Sequence, residues 1–161
     1  MQRQLTLAAI LILSVASALY IRTYLETSDL NGATLLSLGI IDLNLRYTIN
    51  TGINFGLGGA ETSSRQLLLA SVAVLICGFV VFWALKSRKP IDAVIAGLFA
   101  GGGLANAFER VAYGGVFDYL NVPLSFYNNP YAFNIADIYI FVGAIIFILR
   151  PSEDRNPGNN I

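Results

Sequence analysis

Asp118 and Asp137 are the residues of this chain best suited to do chemistry. They stand in the segments Gly115-Val116-Phe117-Asp118-Tyr119 and Phe133-Asn134-Ile135-Ala136-Asp137. Asp137 lies at the mouth of an apolar stretch long enough to enter a bilayer, where a carboxylate is costly and reads as functional by default. Two carboxylates that can face each other point to acid–base chemistry on a shared water. Held close, they cannot both ionise easily, so one keeps a proton. The charged member takes a proton from water, the protonated one polarises a carbonyl, and a proton reaches the leaving nitrogen as the amide breaks. This design needs no metal, histidine or cofactor, and the chain contains no histidine. Ser-His-Asp, Cys-His and His-ligated zinc chemistry are thereby removed.

Other polar residues can gather around the pair. Asn106 and Arg110 are four apart and share a helix face. Asn134 and Asp137 are three apart and share another. Asp118 follows Glu109 closely enough to fold back onto them, and Gly101-Gly102-Gly103 allows tight helix packing behind the site. Taken singly, each has a plainer reading. Asp118 is a turn or cap residue; Asp137 caps its own helix near the positive end of the macrodipole. Arg110 and Glu109 are an interfacial ion pair; Asn106 is a packing hydrogen bond.

The elements that must carry these residues belong in a membrane. Of 161 residues, 55% are hydrophobic and 12% charged, against roughly 25% charged in globular domains, and the mean hydropathy is +0.63. The length suits one unit, a single membrane domain over residues 1–150. The formal net charge is zero, so nucleic acid is not an expected partner; membrane lipids are. The lone Cys77 lies in an uncharged apolar run and reads as a small core or lipid-facing residue. Four apolar segments, 5–24, 67–85, 93–108 and 133–149, predict four transmembrane helices. Arg3, Lys86, Arg88, Lys89, Arg150 and Arg155 fall on one side, which becomes the cytoplasm. Both termini are then cytoplasmic, with a polar tail over 151–161, and the segments 26–65 and 109–134 face outward.

The first outward segment is too long for a simple turn. Over residues 42 to 50, polar Asp42, Asn44, Arg46, Thr48 and Asn50 alternate with Leu43, Leu45, Tyr47 and Ile49, which predicts a half-buried strand. A glycine-rich stretch follows, so a small β-sheet on the outer membrane surface is expected. The second outward segment, 111–131, carries Pro123, Pro130 and several aromatics. It is expected to lie along the interface and close over the site. The fold class is therefore an all-α membrane protein with a small outward-facing β-sheet and an interfacial segment.

Three motifs in order, Ala105-Asn106-Ala107-Phe108-Glu109-Arg110, Val116-Phe117-Asp118-Tyr119 and Phe133-Asn134-Ile135-Ala136-Asp137, resemble those of the lipoprotein signal peptidase (signal peptidase II) family. That family carries Gly-Asn-x-x-Asp-Arg, a Val-Val-Asp-Phe-like motif and Phe-Asn-x-Ala-Asp. Its Asn-x-Gly-Ala-Ala-Phe motif resembles Asn50-Thr51-Gly52-Ile53-Asn54-Phe55. The resemblance implies a four-helix bacterial inner-membrane aspartic protease with Asp118 and Asp137 as its catalytic dyad. Asn50, Gly52, Asn54, Asn106, Glu109, Arg110 and Asn134 would be supporting or substrate-binding residues. It implies a lipidated prolipoprotein substrate, cut before the lipid-bearing cysteine at the outer face. There are departures. The family's Asp-Gln-x-x-Lys at the end of the first span falls on Ala18, Leu19 and Arg22. Glu109 replaces an Asp, Ala105 a Gly, and Ile53 and Asn54 two Ala. These departures favour a second reading, a non-catalytic membrane subunit that binds a partner protein; the intact aspartate pair opposes it. A third reading, a small ion-coupled transporter, is weaker because the ionisable residues cluster at one membrane face.

Overall fold

The structure, a computed structural model, describes residues 1–52, 63–127 and 129–150. Asn54 and the tail expected over 151–161 lie outside the described residues. The apolar runs fold as four helices: α1 (Gln2–Glu26), α2 (Ser63–Lys86), α3 (Pro90–Tyr113) and α4 (Ile135–Leu149). Among the described residues, α1, α2 and α3 are long and apolar enough to cross a membrane. Their outward faces carry Leu13, Tyr20, Leu68, Leu75 and Phe79, all exposed, a surface suited to lipid rather than water. α4 has 15 residues, about 22 Å at 1.5 Å per residue. It starts later than the apolar run at 133, because Ala132 and Phe133 pair in a sheet and Asn134 caps the helix.

α3 is the central helix and packs on each of the other three. Its glycines let the neighbours approach. A Cβ at Gly101 would lie 2.5 Å from Ser14 Cβ of α1, and one at Gly103 2.5 Å from the Cys77 sulfur of α2. A Cβ at Gly102 would collide with the Ala136 carbonyl of α4. The run 101–103 thus serves three different helices in succession, and Cys77 is a buried packing residue.

Among the described residues, four strands form one antiparallel sheet in chain order: β1 (Thr34–Ser37), β2 (Asp42–Asn50), β3 (Val116–Asn121) and β4 (Ala132–Phe133). They lie between α1 and α2 and between α3 and α4, so the sheet sits where α1 and α3 finish and α2 and α4 begin. β2 is the strand that the alternation predicts. Within the segment 111–131, the chain forms the last turn of α3 and one strand, β3. Val116–Phe117–Asp118–Tyr119 is buried on both faces, so it shows no polar–apolar period by which a sequence reveals a strand. A cluster of Leu25, Leu45, Phe117 and Tyr119 packs the sheet onto the end of α1.

Candidate active site

α3 ends at Gly114, whose φ of +75° lets the chain leave the helix in the left-handed conformation, with its N–H on the Arg110 carbonyl. The chain then reverses into β3. Thr48 pairs opposite Asp118, and Asn50 opposite Val116. Asp118 is 3% exposed. Its Oδ2 accepts from Asn50 Nδ2 at 2.9 Å, and its Oδ1 accepts from Asn134 Nδ2 at 3.1 Å.

Asn134 is the N-cap of α4. Its Oδ1 accepts from the Asp137 backbone N–H at 3.0 Å, while its own backbone N–H donates to Asp137 Oδ2 at 3.1 Å, a reciprocal capping box. Asp137 Oδ1 accepts from Asn106 Nδ2 at 2.8 Å, and Asn134 Nδ2 also donates to Asn106 Oδ1 at 3.1 Å. The plain reading of Asp137 as a helix cap is therefore correct, and it coexists with the clustering. One residue, Asn134, hydrogen-bonds both aspartates.

Asn106 and Asn134 thus meet Asp137 as the helix spacing predicts, and Asp118 and Asn50 join them from β3 and β2. Gly52 has φ +88° and donates its N–H to Asn50 Oδ1 at 2.9 Å, which orients the Asn50 amide toward Asp118. Arg110 donates to Gln66 Oε1 at 3.1 Å, and its guanidinium is near enough for its charge to act on both Asp118 and Asp137. Glu109 departs from expectation. Its ion-pair partner is Arg22 and not Arg110: its Oε2 accepts from the Phe117 backbone N–H at 2.8 Å and from Arg22 Nε at 3.3 Å. The reason is helical: Glu109 points to the α1 and β3 side of α3, while Arg110 points to α2.

Burial pushes the Asp118 carboxyl from the ordinary 3.8 up to about 6, and the charges of Asp137 and Glu109 add to the rise. Hydrogen bonds from Asn50 and Asn134 oppose it. Such a cluster can hold one proton and one negative charge on two carboxylates, with a cation beside them.

Three contributors were not singled out by sequence reasoning. Gln66 is buried and bridges Arg110 to the Thr51 carbonyl, donating at 2.6 Å. Its signal was a lone amide at the start of an apolar run. Tyr119 accepts from the Ile135 N–H at 3.1 Å and so steadies the start of α4. Arg22, a charge inside an apolar run, is 3% exposed, with its guanidinium 3.6 Å from the Tyr113 ring centroid.

Comparison with known proteins places the chain in a family. Residues 6–151 match the family model described as signal peptidase (SPase) II. The chain belongs to the signal peptidase II family. It is 34% identical over 118 residues to the lipoprotein signal peptidase of Syntrophus aciditrophicus, covering 70% of this chain and 73% of that protein. It is 37% identical over 119 residues to the lipoprotein signal peptidase of Caulobacter vibrioides, covering 73% and 68%. A solved bacterial membrane enzyme shares the fold, with a TM-score of 0.73 at 21% identity over 92% of this chain and 94% of that one. Family membership makes the chain a peptidase. Ala18 and Ala105, two of the departures, are buried together with Ala136.

Proposed function

We propose that this protein is an aspartic peptidase that removes signal peptides from diacylglyceryl-modified prolipoproteins, cutting before the lipidated cysteine. The observation that carries the reading is that Asn134 hydrogen-bonds both Asp118 and Asp137. Family membership and the assembled site weigh against a non-catalytic subunit.

In this reading Asp118 holds the proton and Asp137 is the base. Asp137 takes a proton from water as the water oxygen bonds to the scissile carbonyl carbon. Asp118 donates its hydrogen bond to the carbonyl oxygen, where negative charge develops. The carbon–nitrogen bond then breaks as Asp137 passes the proton it took from water to the leaving nitrogen, which becomes the new amino terminus, and the dyad returns to its starting state. Asn106 and Asn134 fix Asp137, Asn50 fixes Asp118, and Arg110 offers its charge beside both. An apolar exterior on the helices lets the substrate's acyl chains stay in the bilayer during cleavage.

The site lies toward the sheet end of the bundle. Arg3 donates to the Leu85 carbonyl at 3.1 Å and Arg150 pairs with Asp92, so Arg3, Lys86, Arg88, Lys89 and Arg150 gather at the other end. The positive-inside tendency puts that end in the cytoplasm and the site at the outer face of the bacterial inner membrane. A reporter fused after Arg155 reads as cytoplasmic; external activity overturns this orientation. For the function itself, the purified protein in detergent shortens a lipidated prolipoprotein. Substrate left intact after long incubation overturns it.

A further inference from the structure

We infer that Asp92 and Arg150, at the end of the bundle away from the sheet, are a positioning pair for the reaction: they set the register of α4 on α3, and with it the place of Asp137. The inference rests on the peptidase reading above.

α4 packs along α3 and only lightly on α1. The α3–α4 contact is close. Gly102 abuts the Ala136 carbonyl and the Ile140 side chain, and a Cβ at Gly143 would lie 3.1 Å from both Ile95 O and Phe99 N and 3.2 Å from Phe99 Cβ. Small residues bring helices close, and directional polar groups at the two ends of the contact then hold its register. At the sheet end, Asn106 holds Asp137. At the other, Arg150 Nη1 lies 2.6 Å from Asp92 Oδ1. Asp92 is 2% exposed and also accepts from Ser87 Oγ. The Arg150 guanidinium stacks 4.7 Å from the Trp83 ring and 4.4 Å from that of Phe147, which themselves meet edge to face. Asp92 is in the first turn of α3 and Arg150 caps the end of α4, so each charge also complements its helix dipole.

The two locks match. They are about 21 Å apart along α3 and about 20 Å apart along α4, at 1.5 Å per residue. A slip of α4 by a single turn, about 5.4 Å, breaks both and leaves Asp92 buried without its cation. Buried ion pairs add little net stability, and fixing register is their best-attested use. Displacement of a reacting group by about 1 Å can cost about 10²-fold in rate, so a lock at one end of the bundle bears on chemistry near the other.

The test is steady-state cleavage of a lipidated prolipoprotein by wild type, Arg150→Ala, Asp92→Asn and the double variant. Each variant is expected to lose roughly tenfold or more in kcat with KM within about twofold, since Asn50, Gln66 and Arg110 are on other elements. The double variant is expected to be no worse than either single one. The alkaline limb of the kcat/KM profile is also expected to move to lower pH, because Asp137 withdraws its charge from Asp118 while Glu109 and Arg110 stay in place. Loss of folded protein alone scales the profile without moving the limb; that result, or wild-type kinetics, overturns the inference. Arg150→Lys keeps the charge but loses the planar fork. It is the variant to read if Arg150→Ala does not fold, with a loss of roughly threefold expected and unchanged kinetics overturning the inference. A wild type that cleaves nothing overturns the peptidase reading itself.

Discussion

Arg22 Nε lies 3.3 Å from Glu109 Oε2, and both side chains are 4% exposed. The same Glu109 oxygen accepts from the Phe117 N–H, one residue before Asp118. The pair therefore ties α1 and α3 to the strand that carries a candidate catalytic residue. Arg22 also reaches Glu26 at 2.6 Å, so it keeps a partner if Glu109 is neutralised, whereas Glu109 keeps only a backbone donor if Arg22 is removed. Arg22→Met should therefore destabilise more than Glu109→Gln. About 3–5 kcal/mol is expected for stranding a buried charge and about 1–2 kcal/mol for the weakened hydrogen bonds. Denaturation in detergent, monitored by near-UV circular dichroism, checks this. An equal or reversed order would show that the pair does not hold β3.

Asp118→Asn and Asp137→Asn should each abolish cleavage with the fold retained. Each change is nearly isosteric and removes the charge or the transferable proton, a loss of about 10²–10⁴-fold or greater. The double variant should be little worse than either single one, because the two act as a unit. Glu109→Gln should retain more activity than either. An active aspartate variant beside an inactive Glu109→Gln would mean that the wrong carboxylates are assigned.

The parts of this molecule legible in its sequence are those with a period or a run. Four apolar stretches became four helices, and the alternation from Asp42 to Asn50 became β2 with the same ends. The helix spacing of Asn106 with Arg110 and of Asn134 with Asp137 brought the candidate site together from α3 and α4. β3 was not legible because burial on both sides of Val116–Tyr119 erases alternation. Glu109 was assigned to its chain neighbour Arg110, yet adjacent helix residues point about 100° apart, and its partners Arg22 and Phe117 lie on other elements. The Asp92–Arg150 pair was hidden for the same reason: its members are joined by the packing of α3 against α4 and by no local pattern.

Activity should depend on pH through Asp118. Asp137 faces it from α4, Glu109 and Arg110 from α3, and Asn50 and Asn134 are neutral. Its carboxyl titrates near 6 in the fold. As the proton-bearing member of the dyad, it is competent below that value and loses competence as pH rises through it. The kcat/KM profile of the free enzyme should then show an alkaline limb near 6, reported as an apparent value of the coupled pair. Stability follows the same sign. The raised carboxyl favours the fold at low pH, and that contribution is lost as pH rises from the ordinary 3.8 toward 6. Asp118→Asn, which resembles the protonated form, should be more resistant to unfolding than wild type at pH 7 and no more so near pH 4. A stability difference that does not change with pH would contradict this.

Gly52 and Gly39 allow a paired test of how the site is held. Both have positive φ, +88° and +82°, so alanine at either carries backbone strain of about 1–2 kcal/mol. They differ in surroundings. A Cβ at Gly39 meets nothing within 4 Å. A Cβ at Gly52 would lie 2.8 Å from Leu69 Cδ1 and 3.4 Å from Arg110 Nη1. The Gly52 N–H orients the Asn50 amide that donates to Asp118. Its carbonyl also accepts from Arg65 Nη2 at 3.2 Å. Gly39→Ala should lose stability and keep wild-type kcat/KM. Gly52→Ala should lose about as much stability and, in addition, roughly tenfold in kcat/KM, because it shifts Asn50 and Arg110 against Asp118. Parallel melting curves and cleavage rates decide the matter. Equal activity in the two variants would mean that the Asn50–Gly52 turn is a scaffold for the sheet and not a support for the aspartates.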